Sequence, residues 1–179
     1  MILACEDSPK LCTGRKAIHL GLARPSTPRD HPSPGALLLD PYSDIPLSRA
    51  DARIVSEFGL VVVDCSWNRL SDRGRYPDSA PFLRRSRVRR RLPLLFAANP
   101  QHYGRLTQLN TAEALGASLY VLYGKETART FLDRFSFGPS FATLNEVLVE
   151  EYHSAAGAEG IRQIELRQFS AKGPVSDTP

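Results

Sequence analysis

The sequence is poor in the residues and motifs that mark the commonest chemistries. It holds three cysteines, one methionine and one tryptophan. Cys5 and Cys12 are separated by six residues and Cys65 is distant. With no C-x-x-C pair and no H-E-x-x-H, a disulfide framework and a structural zinc are both disfavoured, and no metal is expected. There is no G-x-S-x-G elbow, no G-x-x-x-x-G-K-[ST] and no G-x-G-x-x-G, so hydrolases, nucleotide kinases and dinucleotide enzymes lack their usual signatures. The histidines His19, His31, His102 and His153 are dispersed. No apolar run approaches the roughly 18 residues a spanning helix needs. The opening Met1–Asp7 is too short and acidic for a secretory signal, and unpaired thiols fit a reducing compartment, so a cytoplasmic protein without a membrane partner is expected.

What is present describes a globular chain. Its 179 residues are 42% hydrophobic and 23% charged, close to the average for folded proteins and long enough for one mid-sized domain or two small ones. Lys+Arg is 23 and Asp+Glu is 19, a net charge of +4. That excess is mild, but its distribution is uneven: six of the eight residues from Arg84 to Arg91 are arginine (Arg84, Arg85, Arg87, Arg89, Arg90, Arg91). Guanidinium forks match phosphate geometry, so this run reads as a nucleic-acid contact, with a solvated arginine face as the alternative.

The first half alternates strand-like and helix-like segments. Ile2–Cys5, Ala36–Asp40, Leu60–Asp64 and Leu94–Ala98 are short apolar runs, of which Leu60-Val61-Val62-Val63-Asp64 is the clearest buried strand. Helices are predicted over Thr13–Leu20, with Thr13 as N-cap, and over Arg49–Phe58, capped by Ser48 and stopped by Gly59. Four prolines in 24–35 make that stretch a loop. Beyond residue 100 the period becomes helical: Asn110–Tyr123, Thr127–Phe135, Ser140–Tyr152 (Phe141, Leu144, Val147, Leu148 and Tyr152 inward) and Ile161–Phe169. The expected organisation is an α/β parallel-sheet domain over 1–98, an all-helical domain over 99–170 and a polar, frayed tail over 171–179.

Three polar clusters follow predicted strands: Ser8–Gly14, Asp64–Trp67 and Asn99–Gly104. In open α/β sheets ligands bind beyond the carboxyl ends of the strands, so these loops point to one shared pocket. Trp67 is either a packing residue or a pocket wall for a cationic ligand, and Asp64 either caps a turn or serves as a carboxylate at a reaction centre.

These segments carry a family resemblance. Cys12-Thr13-Gly14, Cys65-Ser66-Trp67-x-x-Leu70, Arg91-Leu92-Pro93-x-Leu95-x-Ala97-Ala98-Asn99-Pro100, Tyr103-Gly104, Leu109-x-x-x-Glu113-Ala114 and Phe135-x-Phe137-Gly138-x-x-Phe141-x-x-x-Asn145 together resemble the small-subunit rRNA aminocarboxypropyltransferases, in the same order over residues 1–152. Phe137 stands where that family commonly has tryptophan. The resemblance implies a fold like the SPOUT RNA methyltransferases, with a deep trefoil knot. It implies S-adenosylmethionine as donor of a 3-amino-3-carboxypropyl group to N3 of an N1-methylpseudouridine in small-subunit rRNA, with 5′-methylthioadenosine released. The partner is then rRNA or a precursor subunit, and the protein a monomer.

The roles that follow are equally implied by the resemblance. Thr13, Val63, Trp67, Leu70, Leu95, Tyr103 and Thr107 hold the donor: Trp67 and Leu70 wall off its methyl, Val63 meets the ribose, Leu95 and Tyr103 read the adenine, and Thr13 and Thr107 meet the amino-acid arm. Asp64 and Trp67 are the catalytic expectations, Asp64 to deprotonate N3 or orient the RNA. Lys10, Lys16, Arg69 and the Arg84–Arg91 run contact phosphates. Two alternatives stay open on sequence: a SPOUT-like methyltransferase using the same donor, and a non-catalytic RNA-binding assembly factor.

Overall fold

The computed structural model describes residues 2–3, 12–26, 32–64 and 86–170. In chain order these form β1 (Ile2–Leu3), α1 (Thr13–His19), β2 (Leu37–Leu39), a 3₁₀ turn (Arg49–Asp51), α2 (Ala52–Phe58), β3 (Leu60–Val61), β4 (Val63–Asp64), β5 (Val88–Arg90), α3 (Thr111–Tyr123), α4 (Lys125–Leu132), α5 (Gly138–Ser154) and α6 (Gly157–Phe169).

Every strand pairing among the described residues is parallel. β2 lies between β3 and β5, with Leu37 opposite Leu60 and Val88. β1 pairs with β4, Ile2 opposite Val63 and Leu3 opposite Asp64. A single residue, Val62, separates β3 from β4, so one extended stretch pairs with β2 through its first half and β1 through its second. Leu37, Leu38, Leu39, Val61 and Val62 are all buried, as strands covered on both faces require. The parallel sheet of the sequence reading is therefore present, in short strands.

The fourth predicted strand is not. Leu94–Ala98 is extended but joins no ladder; its one bridge, Phe96 to Leu106, is isolated and antiparallel. Leu95 and Ala97 bond the backbone of the loop that follows, and the alternate residues are satisfied by side chains from three helices. Leu94 N–H donates to Glu165 of α6 (3.0 Å), and the Leu94 carbonyl accepts from the Tyr152 hydroxyl of α5 (3.1 Å). Phe96 exchanges two hydrogen bonds with the Asn145 amide of α5 (2.8 and 2.9 Å), and Ala98 N–H donates to Glu113 of α3 (2.7 Å). Apolar composition asks for burial and an extended path, and buried polar side chains meet the backbone as well as a neighbouring strand does.

Helix α3 is central. It packs on α1, α4, α5 and the 3₁₀ turn, and Ala112, Ala117 and Val121 are buried completely. Small residues permit this: a Cβ at Gly116 would overlap the Leu132 side chain of α4. Asn110 caps α3 in a reciprocal box with Glu113, and Gly124 ends it at φ 88°. On α5 the buried residues are Gly138, Phe141, Asn145, Val149 and Tyr152. Leu144 and Val147, expected inward, face out; Val147 is 68% exposed. The true stripe includes a polar residue, Asn145, which an apolar count skips. Thr13 is the first helical residue rather than the cap; Cys12 caps α1, its Sγ accepting from Arg15 N–H (3.2 Å). One hydrophobic cluster runs from Ala17 and Leu37 through Leu95 and Val121 to Ile164, drawing on both halves of the chain.

Candidate functional site

Two buried carboxylates organise the carboxyl end of the sheet. The first is Asp64, the last residue of β4. Its Oδ2 accepts from the Cys12 thiol (2.8 Å) and its Oδ1 from the Thr111 hydroxyl. Cys12 precedes α1 and Thr111 opens α3, so two helix starts meet on one carboxylate. Gly14 makes the approach possible: a Cβ there would stand 2.8 Å from the carboxyl carbon. Burial, and then the hydrogen bond to Asp64, push the Cys12 thiol up to about 11, so it stays a protonated donor at neutral pH. Thr13 Oγ1 accepts from Ala112 N–H (3.3 Å), fastening the same two helices a second time.

The second is Glu113, wholly buried in the first turn of α3. It accepts from Ala98 N–H (2.7 Å), from the Asn99 amide (2.6 Å) and from Asn110 N–H (2.9 Å). These contacts clamp both ends of the loop that runs from the extended segment to α3. Inside it, Ala97 and Arg105, Gly104 and Ala97, and Thr107 and Leu95 are joined N–H to carbonyl at 2.7–2.9 Å. Thr107 adopts φ 67°, the one positive φ at a non-glycine among the described residues. That conformation is costly for a β-branched residue and persists only where surroundings enforce it. Leu95 is buried, Thr107 is exposed and Tyr103 is 66% exposed.

The sequence-predicted donor residues fall around these carboxylates. Val63 adjoins Asp64 and Thr13 bonds α3, while Leu95, Tyr103 and Thr107 belong to the loop that Glu113 clamps. Thr13 is bonded to α3 directly, Leu95 and Thr107 are bonded to each other, and Val63 and Tyr103 are placed by their chain neighbours Asp64 and His102. Trp67, Leu70, Lys10, Arg69, Arg84 and Arg85 lie outside the described residues.

Much of the arginine run is committed within the fold. Arg89 pairs with Asp40 (2.7 Å) and Arg90 with Asp51 (2.9 Å). Arg91 grips Glu165 with both terminal nitrogens (2.7 and 2.6 Å), which holds its guanidinium still more firmly protonated than usual. Arg87 is exposed, as is Lys16, whose ammonium stands 5.2 Å from the centre of the Phe135 ring. Among the described residues no group of three or more His, Cys, Asp or Glu is arranged to hold a metal ion.

Sequence reasoning assigned no role to Glu113, Asn145, Glu165, Cys12 or Thr111. For Glu113 a local signal existed: Asn110-x-x-Glu113 is a capping-box spacing. Nothing local marks Glu165, whose partner is 74 positions away.

Comparison with known proteins gives one consistent picture. Residues 37–169 match the family model described as ribosome biogenesis protein, C-terminal. The chain is 44% identical over 165 residues to the 16S rRNA aminocarboxypropyltransferase of Methanopyrus kandleri, covering 90% of this chain and 94% of that one. Identity to the protein of the same name in Thermoplasma volcanium is 41%, covering 92% and 93%. The solved structure of the SAM-dependent rRNA:acp-transferase of Vulcanisaeta distributa superposes with a TM-score of 0.75 at 31% identity, covering 96% of each chain.

Proposed function

This chain belongs to the 16S rRNA aminocarboxypropyltransferase family of ribosome biogenesis proteins, and on that premise we propose how its residues carry out the reaction. It is a SAM-dependent transferase that moves the aminocarboxypropyl group of S-adenosylmethionine onto small-subunit rRNA. The acceptor in this reading is N3 of an N1-methylpseudouridine. N3 attacks the propyl carbon next to the sulfonium, that carbon–sulfur bond breaks, 5′-methylthioadenosine leaves and the N3 proton is lost. The bound donor supplies an electrophilic carbon beside a positively charged sulfur. All three carbons on that sulfur are electrophilic, so the protein's task is selection by position: the nitrogen must approach in line at about 3 Å.

The residues present suit such a ligand. Val63, at a strand end, is assigned a backbone carbonyl for the ribose, and Leu95, whose side chain is buried in the core, acts with Tyr103 through main-chain groups toward the adenine. Thr107, exposed and held at its positive φ by the bond of its N–H to Leu95, is assigned to the amino-acid arm. Thr13 completes the arm site from α1. Trp67 and Leu70, three and six positions beyond Asp64, are taken to shield the methyl. Asp64 has both oxygens occupied by Cys12 and Thr111, which favours its orienting role over proton abstraction. Phosphate contact is assigned to Lys10, Lys16, Arg69, Arg84, Arg85 and Arg87; Arg89, Arg90 and Arg91 join them only by giving up a carboxylate partner.

The SPOUT-like knotted threading belongs to the same proposal. Its support is the extended segment gripped by side chains from α3, α5 and α6, all later in the chain. The proposal keeps 1–98 as the α/β donor-binding part and 99–170 as the helical part, in a monomer acting on cytoplasmic pre-ribosomal RNA. No described helix is long and apolar enough to cross a membrane.

The observation that supports the reading is the bonding of Thr13, and of both ends of the loop that carries Tyr103 and Thr107, to the first turn of α3, in a chain of this family. The test is incubation with rRNA and labelled S-adenosylmethionine. Methylthioadenosine and an aminocarboxypropyl nucleoside are expected; S-adenosylhomocysteine would mean methyl transfer and overturn it.

A further inference from the structure

We propose that Glu113 is a positioning residue for the donor site: its buried carboxylate fixes the loop between Leu95 and Asn110 in the shape that receives S-adenosylmethionine. This rests on the reading above for the ligand, and on hydrogen bonding alone for the clamp. Ala98 and Asn99 begin the loop and Asn110 ends it, and all three donate to this one side chain. The clamp also propagates. Asn99, oriented by Glu113, accepts from His102 N–H (3.0 Å) and donates to the Gln108 carbonyl (3.3 Å). Tyr103 follows His102 directly, and Thr107 precedes Gln108. The strained Thr107 therefore sits between two points that both lead back to Glu113.

The chemistry of the contacts demands a carboxylate. Its three partners are all N–H donors, and among the described residues no cation touches it. Glutamine has the same shape but carries one NH₂. Whichever way that amide turns, a donor faces a buried donor, at Ala98 or at Asn99 and Asn110. Glu113→Gln thus perturbs the loop without opening a cavity.

Hydrogen exchange and donor binding are measured on the full chain, at a temperature where circular dichroism shows each variant folded. In Glu113→Gln the amides of Gly104, Arg105 and Thr107 are expected to exchange about tenfold faster, with the amides of α5 unchanged. The Kd for S-adenosylmethionine is expected to rise about tenfold. Val149→Ala, a core change in α5 that lowers Tm without touching the loop, keeps the wild-type Kd. Wild-type exchange and affinity in Glu113→Gln, or an equal loss of affinity in Val149→Ala, would overturn the assignment. Should wild type itself bind no S-adenosylmethionine, the functional reading fails, and loop exchange alone decides the clamp: faster supports it, unchanged refutes it.

Discussion

Replacing Glu165 by alanine is the most informative single change outside the donor site. Glu165 does two things: it holds the Arg91 guanidinium with two short bonds, and it accepts the backbone N–H of Leu94. Losing one partner of a buried ion pair costs about 3–5 kcal/mol. Orphaning a buried N–H costs about 1–3 kcal/mol more. The Arg91 side chain is 23% exposed, so water recovers part of its charge, and the sum falls to about 3–4 kcal/mol. For a chain of this size that lowers Tm by about 6–16 °C. The companion variant Arg91→Met/Glu165→Leu removes both charges and keeps apolar volume; it leaves the Leu94 N–H and the Leu92 carbonyl, to which Arg91 also donates (3.1 Å), without these partners but strands no charge, so it should melt above Glu165→Ala. The same pair separates architecture from RNA contact. If Arg91 serves the fold, the double variant leaves the slope of log K against log salt for rRNA unchanged. A phosphate contact would reduce that slope by about 0.9. Thermal melts and filter binding across salt concentrations provide the readouts. A Glu165→Ala melt within 2 °C of wild type, a double variant less stable than the single, or a slope reduced by about one would refute the reasoning.

Two further outcomes are expected. Because the Cys12 thiol is raised in the fold from 9.0 to about 11, the native state holds its proton more tightly. Its stabilisation is full below about pH 9 and is lost as pH rises through about 11, a decline of up to about 2–3 kcal/mol. Urea unfolding between pH 8 and 11 should show this slope, and Cys12→Ala should lack that share of it; equal slopes would put the decline elsewhere. At Gly138, a Cβ would overlap the Leu132 carbonyl. Glycine is therefore required where α4 turns into α5, and Gly138→Ala should cost about 3 kcal/mol or more in denaturant melts; an unchanged midpoint would show that the turn can yield.

The elements that the sequence made legible are those whose cause is local. Asn110 and Glu113 cap α3 three residues apart, Gly59 and Gly124 end helices at positive φ, and an unbroken Leu-Val-Val-Val run asks for a buried strand. Leu94–Ala98 defeated the same reasoning because a strand is defined by its partner, and here the partners are Glu113, Asn145 and Glu165 side chains spread over the later half. The arginine run misleads in a related way. Six arginines in eight residues look like one charged surface. At the end of β5 and the residue beyond it, however, consecutive guanidiniums reach three different carboxylates, Asp40, Asp51 and Glu165, none near them in sequence. For the proposed donor site, the family resemblance named Thr13, Val63, Leu95, Tyr103 and Thr107. Of the buried acceptors around them, Asp64 was marked by its place at a strand end, and Glu113 by a motif and a capping-box spacing that did not disclose its clamp on Ala98 and Asn99.

The gripped segment has a consequence for how the molecule comes into being. Phe96 waits for Asn145, 49 positions on, and Leu94 for Tyr152 and Glu165, 58 and 71 positions on. During translation these amides have no protein partner until nearly all of the described chain has left the ribosome. Parallel pairing and such distant closures make folding slow and late. The nascent protein thus passes through a period with an apolar, unsatisfied stretch open to solvent, and it is then that assistance from a chaperone would matter most.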